Sequence, residues 1–121
     1  MNYLFPFEKL EIWQLAIEYV LYIYEVTKKF PKEEQFGITN QIRRSSNSVS
    51  NNIAEGASKK KVNEKARFFE VAYSSLMESL NQSIIAHRLK YLTDEEILNI
   101  RMKVSELSNK INSYYNKMKP E

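Results

Sequence analysis

The sequence predicts an all-α protein, a single domain folded as an antiparallel up-down-up-down four-helix bundle. Three observations carry this expectation. Among its 121 residues there are only two glycines and three prolines (Pro6, Pro31, Pro120), so few positions interrupt a helix. Apolar residues recur at helical spacing in four separate stretches. The cleanest of these, Ile97, Ile100, Val104, Leu107, Ile111, Tyr114 and Met118, advances in alternating steps of three and four residues. A chain of this length closes one core but not two, which gives one domain over residues 1–121. Its helices are expected at about 8–30, 36–55, 62–91 and 94–117, joined by short turns.

In helix one, Leu10, Trp13, Ile17, Val20 and Tyr24 form one apolar stripe, and Ile12, Ala16, Tyr19, Ile23, Val26 and Phe30 form a second beside it. Glu8, Glu11, Gln14, Glu18 and Glu25 make up the polar sector. So wide an apolar surface exceeds what one side of a bundle helix buries. No helix is central in a four-helix monomer, so the second stripe, Ile12, Ala16, Tyr19, Ile23 and Val26, is expected to face another subunit. Pro31 ends this helix, because proline disfavours helical geometry in the residue before it.

Helix two carries Ile38, Ile42, Ser45, Ser46, Val49 and Ile53 at helical spacing, and Gly56 is expected as its left-handed C-terminal cap. By propensity alone the run Ser45–Asn52 reads equally well as a loop. Residues 57–61 form a short basic connector. Helix three is expected to turn Val62, Phe69, Leu76, Leu80, Ile84, His87 and Tyr91 to one side, while Ser74, Ser75, Ser79 and Ser83 permit close helix approach. Thr93 followed by Glu96 has the pattern of a capping box opening helix four.

Several function classes find no support. There is no cysteine, hence no disulfide, thiolate zinc site or cysteine nucleophile. The chain holds one histidine, His87, and one aspartate, Asp94, which sits at a helix start where it interacts with the helix dipole. Ile84, three residues before His87, breaks the Glu-x-x-His pattern of di-metal bundles. Glycines at 37 and 56 alone cannot build a phosphate loop, and Glu33/Glu34 and Glu95/Glu96 read as solvated pairs at turns. A non-enzyme without metal or cofactor is therefore expected. The start MNYLFPFEKLE lacks a secretory pattern, and Tyr19–Tyr24, flanked by Glu18 and Glu25, is too short to span a bilayer, so no membrane association is expected and the location is read as cytoplasmic.

Charge is the positive signal. The chain carries +3 overall, yet residues 28–67 hold ten Lys/Arg against four Glu, a local +6. Such asymmetry suggests a polyanion partner, RNA or DNA. The candidate phosphate contacts are Arg43, Arg44, Lys59, Lys60, Lys61, Lys65 and Arg67, with Ser45, Ser46, Asn47, Asn51 and Asn52 as further hydrogen-bonding groups. The competing use of the arginines is pairing with Glu18 and Glu25, within or between subunits. Phe68 and Phe69 fall on apolar stripes and are expected to pack rather than stack on bases.

FEKLEIWQ (7–14), FPKEEQFGIT (30–39), QIRRSS (41–46), NIAEG (52–56) and Tyr91-Leu92 before TDEE resemble the four-helix-bundle family encoded by intervening sequences within bacterial 23S rRNA genes and labelled a ribosomal protein. The likeness spans roughly Phe7 to Met118, and together with the periodicity it places Ser45–Asn52 in a helix. Where the family commonly has proline, this chain has Ser50, so a straighter second helix is expected. The resemblance implies a homopentameric ring. It also implies kinship with the accessory variability-determinant protein of diversity-generating retroelements, a basic pentamer that works with a reverse transcriptase and its RNA. The resulting expectation is a non-enzymatic oligomer that binds nucleic acid, with RNA foremost. The alternative is a scaffold that docks a polymerase or RNA-processing protein.

Overall fold

The computed structural model describes residues 3–118. These form four α-helices and no strand: α1 (Glu11–Thr27), α2 (Ile38–Ser58), α3 (Val62–Arg88) and α4 (Asp94–Met118). Each helix runs beside the next, and α4 returns to lie along α1, closing a square. The interior is lined by Ile23, Ile42, Val49, Ile53, Phe69, Leu76, Ile100, Leu107 and Ile111.

α1 starts later than expected. Pro6–Lys9 makes a separate 3₁₀ turn, and Leu10 takes an extended conformation that breaks the helix before Glu11. Phe5 fixes this turn, because the Glu8 carboxylate accepts from its backbone N–H at 2.9 Å and its carbonyl accepts from the Glu8 N–H. At the other end of α1 the Thr27 hydroxyl donates to the Ile23 carbonyl, and the helix stops three residues short of Phe30.

Ile12, Ala16, Tyr19, Ile23 and Val26, the stripe expected at a subunit contact, are buried inside this chain's own core. The physical reason is position: α1 leans on both α2 and α4, so the arc between them must be apolar. The apolar residues left facing outward on α1 belong to the other stripe and its flank: half-buried Ile17, exposed Tyr24 and Leu21, the last 64% exposed.

α2 and α3 make the most intimate pair, and small polar residues allow it. Ser46, Ser79 and Ser83 are fully buried. Between α2 and α3, Ser45 donates to Gln82 at 2.7 Å and the Ser48 and Ser75 hydroxyls meet at 2.8 Å, while Ser79 bonds the Tyr19 hydroxyl of α1 at 2.6 Å. On α3 the core side is thus Phe69, Ala72, Leu76, Ser79, Ser83 and Ala86, whereas Val62, expected on it, is exposed. Ser45–Asn52 is helical throughout, and Ser50 donates within the helix to the Asn47 carbonyl.

Gly56 is not a left-handed cap. It lies inside α2, which continues to Ser58, and no glycine takes a positive φ. A Cβ there would stand 3.0 Å from Cβ of Phe68 and 3.1 Å from the Phe69 ring, tight contacts that favour glycine where α3 approaches. The left-handed cap occurs instead at Lys90 (φ 69°) after α3. There the Tyr91 N–H donates to the Ala86 carbonyl and the Lys90 N–H to the His87 carbonyl, a Schellman motif. The capping box at α4 is formed as expected: Thr93 N–H donates to the Glu96 carboxylate at 2.9 Å, and Glu96 N–H to the Thr93 hydroxyl at 3.1 Å.

Candidate nucleic-acid interface

The seven basic residues singled out by the sequence divide into two groups once folded. Three serve the fold. Arg43 donates from Nε to the Thr27 hydroxyl at 2.9 Å and from its terminal nitrogen to the Tyr24 carbonyl, with its guanidinium 4.6 Å from the centre of the Tyr24 ring. It therefore ties α2 to the end of α1 without using Glu18 or Glu25. Lys65 donates to the Ala57 carbonyl at 3.0 Å and satisfies the C-terminus of α2. Lys59 lies over the Phe68 ring, 5.2 Å from its centre.

Arg44, Lys60, Lys61 and Arg67 are exposed and form no hydrogen bond or ion pair among the described residues. They do not make one patch. Arg44 sits in the first half of α2, fourteen residues before Ser58, which at helical rise is about 21 Å from the connector. It borders a polar groove between α2 and α3 with Gln41, Ser48, Glu78 and Gln82. Lys60 and Lys61 lie in the α2–α3 connection, and Arg67 follows in the second turn of α3, which begins at Val62. Residues 55–67 hold five basic side chains against two acidic ones, Glu55 and Glu64, a local excess of +3.

The opposite end of the bundle is balanced. Residues 28–34 and 87–96 together carry five basic and five acidic side chains. Lys29 pairs with Glu96 across the turns, and Tyr91 donates its hydroxyl to Glu34 at 3.0 Å. Burial pushes the Glu96 carboxyl up, but its bonds with Lys29 and Thr93 outweigh this and hold it below the usual carboxylate range. That same Glu34 bond, more than burial, pushes the Tyr91 hydroxyl up.

His87 is a half-buried residue at the end of α3, and its Nε2 lies 2.7 Å from Oδ1 of Asp94. The pair bridges the α3–α4 turn. The hollow beside it is lined by Lys29, Pro31, Lys90, Tyr91, Leu92 and Thr93, with no serine to complete a hydrolytic triad. Among the described residues no three His, Asp or Glu side chains come together as metal ligands, and no helix is long and apolar enough to cross a membrane.

The sequence reading missed the aromatics of the chain start that pack at the end of α2. Phe69 is fully buried as expected, whereas Phe68 is half-buried and lies under Lys59. Phe5 and Phe7, however, form with Pro6, Ala54, Glu55, Ala57 and Ser58 an open hollow of about 550 Å³ that reaches the first residue of the connector. Phe7 rests edge-on against Trp13 at 5.2 Å, while Phe5 is 66% exposed. The available signal was Tyr3–Phe7, an apolar string ahead of helix one that no helical stripe absorbs.

The family described as 23S rRNA-intervening sequence protein matches residues 8–113. Among solved structures, a protein with unknown function from the S23 ribosomal protein family of Bacteroides thetaiotaomicron superposes with a TM-score of 0.80 at 19% identity, over 87% of this chain and 95% of that one. At that identity the likeness concerns the fold. No curated protein matches this chain.

Proposed function

The chain belongs to the 23S rRNA-intervening sequence protein family, and from that premise we propose that it is a non-enzymatic, self-associating bundle that holds nucleic acid, RNA foremost, by phosphate contacts from the α2–α3 connection. The observation that carries this is selective use of charge. Arg43, far along α2, and Lys59 and Lys65 at the connection are engaged within the fold. Lys60, Lys61 and Arg67 are instead exposed with no side-chain partner among the described residues, in a segment with a local excess of +3. Three cations give weak binding on their own. Cyclic self-association places every copy's connector on one circle, and several weak contacts then act together. The family resemblance suggests five copies. The outward residues Ile17, Leu21 and Tyr24 of α1 are the surface proposed for that association.

Mass measured by light scattering, with and without a structured RNA, tests this. The expected result is a multimer whose mass rises with RNA at low salt and returns at high salt. A multimer indifferent to RNA at either salt contradicts the binding reading. It favours the second one, a scaffold for a protein partner, which draws on the exposed Leu98 and Met102 one turn apart on the outer face of α4.

A further inference from the structure

We infer that the hollow beside the connector receives an unpaired base, so that the nucleic acid held here is single-stranded. This rests on the phosphate-binding reading above. Phe5, Phe7, Ala54 and Ala57 give the hollow an apolar lining of flat rings and small side chains, a surface suited to a base and unsuited to a phosphate. Its acidic group, Glu55, repels phosphate but accepts hydrogen bonds from the amino or imino edge of a base. The cations follow it along the chain: Ser58 lines the hollow, Lys59 is extended (φ −77°, ψ 147°), and Lys60 comes next. Two extended residues cover roughly 7 Å, within the reach of a lysine side chain. A base in the hollow therefore leaves its strand's backbone beside Lys60 and Lys61.

The platform is held in place before any ligand arrives. The Glu8 carboxylate fixes the Phe5 backbone, Pro6 sets the turn, and the turn packs on α2. An exposed aromatic on a fixed backbone loses little entropy when a base stacks on it. A duplex keeps its bases stacked inside, so it offers the hollow nothing without the cost of extruding one.

The test uses the full chain and fluorescence anisotropy with a labelled single-stranded RNA, a matched abasic strand, and the duplex of the same sequence. The base-bearing strand should bind more tightly than either of the others. Phe5→Ala should weaken binding of the base-bearing strand about tenfold and leave the abasic strand and its salt dependence unchanged. Phe5→Tyr should keep most of the affinity. Because Phe5 is largely exposed, an unchanged melting temperature will confirm that Phe5→Ala folds normally. Salt-dependent binding that is equal for base-bearing and abasic strands, or untouched by Phe5→Ala, overturns the base site and leaves the phosphate reading standing. Absence of binding to any strand overturns both.

Discussion

The two ends of this bundle are built from the same kinds of residue and use them differently. Where α1 meets α2 and α3 meets α4, lysine, histidine and tyrosine side chains close onto carboxylates, and the local charge sums to zero. Where α2 meets α3, only residues 59–61 join the helices, and Lys60, Lys61 and Arg67 remain unpaired, with an aromatic hollow at the end of α2. Basic residues at a turn therefore carry no functional meaning by themselves. Lys32, Arg88 and Lys90 at the balanced end are also exposed without a side-chain partner among the described residues, but acidic neighbours there bring the local sum to zero. The distinction is the uncompensated excess of +3 at the α2–α3 end.

That contrast can be broken or sharpened by substitution. The largest effect is expected at Gly56, which lets α2 approach α3 and so positions the connector. Gly56→Val drives its side chain into Phe68 and Phe69 and should lower unfolding free energy by about 2–3 kcal/mol in denaturant melts, loosening the connector end as it does so. At the balanced end, Thr93→Ala removes one half of the α4 capping box and should cost about 1 kcal/mol.

Between the ends, burial pushes the Tyr19 hydroxyl up to about 12 despite its bond to Ser79. A group whose pKa is raised on folding contributes stability that is intact below its unfolded value and is lost as pH rises through the folded one. Stability should therefore decline between about pH 10 and pH 12. Tyr19→Phe should remove this component of the decline, which melts recorded across that range will show. The smallest stability effect is expected at the connector. Lys60→Gln with Lys61→Gln should alter folding by less than about 0.5 kcal/mol, because neither side chain has a partner to lose.

Much of the fold was legible in the sequence because periodicity reports burial directly. The stripe Ile97 to Ile111 and the Thr93–Glu96 box sit where their spacing places them. The faces of α1 were not legible. A helix apolar on most of its circumference does not reveal which arc its own chain covers, and the stripe assigned to a second subunit proved to be core. Gly56 was misread for a related reason: a glycine near a helix end serves equally as a left-handed cap or as a close-approach position, and only the neighbouring helix decides. For the candidate site, the basic residues were legible in the sequence but their grouping in space was not. Clustering along the chain grouped Arg43 and Arg44 with Lys59–Lys61, although helical rise separates the two sets and the Tyr24 carbonyl and Thr27 hydroxyl claim Arg43. Phe5 escaped notice because it lies ahead of the first helix, and its nearness to the connector arises only when the 3₁₀ turn folds onto α2.

The most direct test of the division between the ends is the salt dependence of single-stranded RNA binding, measured in parallel for the unmodified chain, Lys60→Gln/Lys61→Gln and Thr93→Ala. The logarithmic slope should become shallower by about 1.4 in the connector variant, the share of two phosphate contacts on a single strand, while Thr93→Ala keeps the full slope despite its lower stability. Equal slopes for all three proteins, or a loss that follows Thr93→Ala instead, would contradict the account.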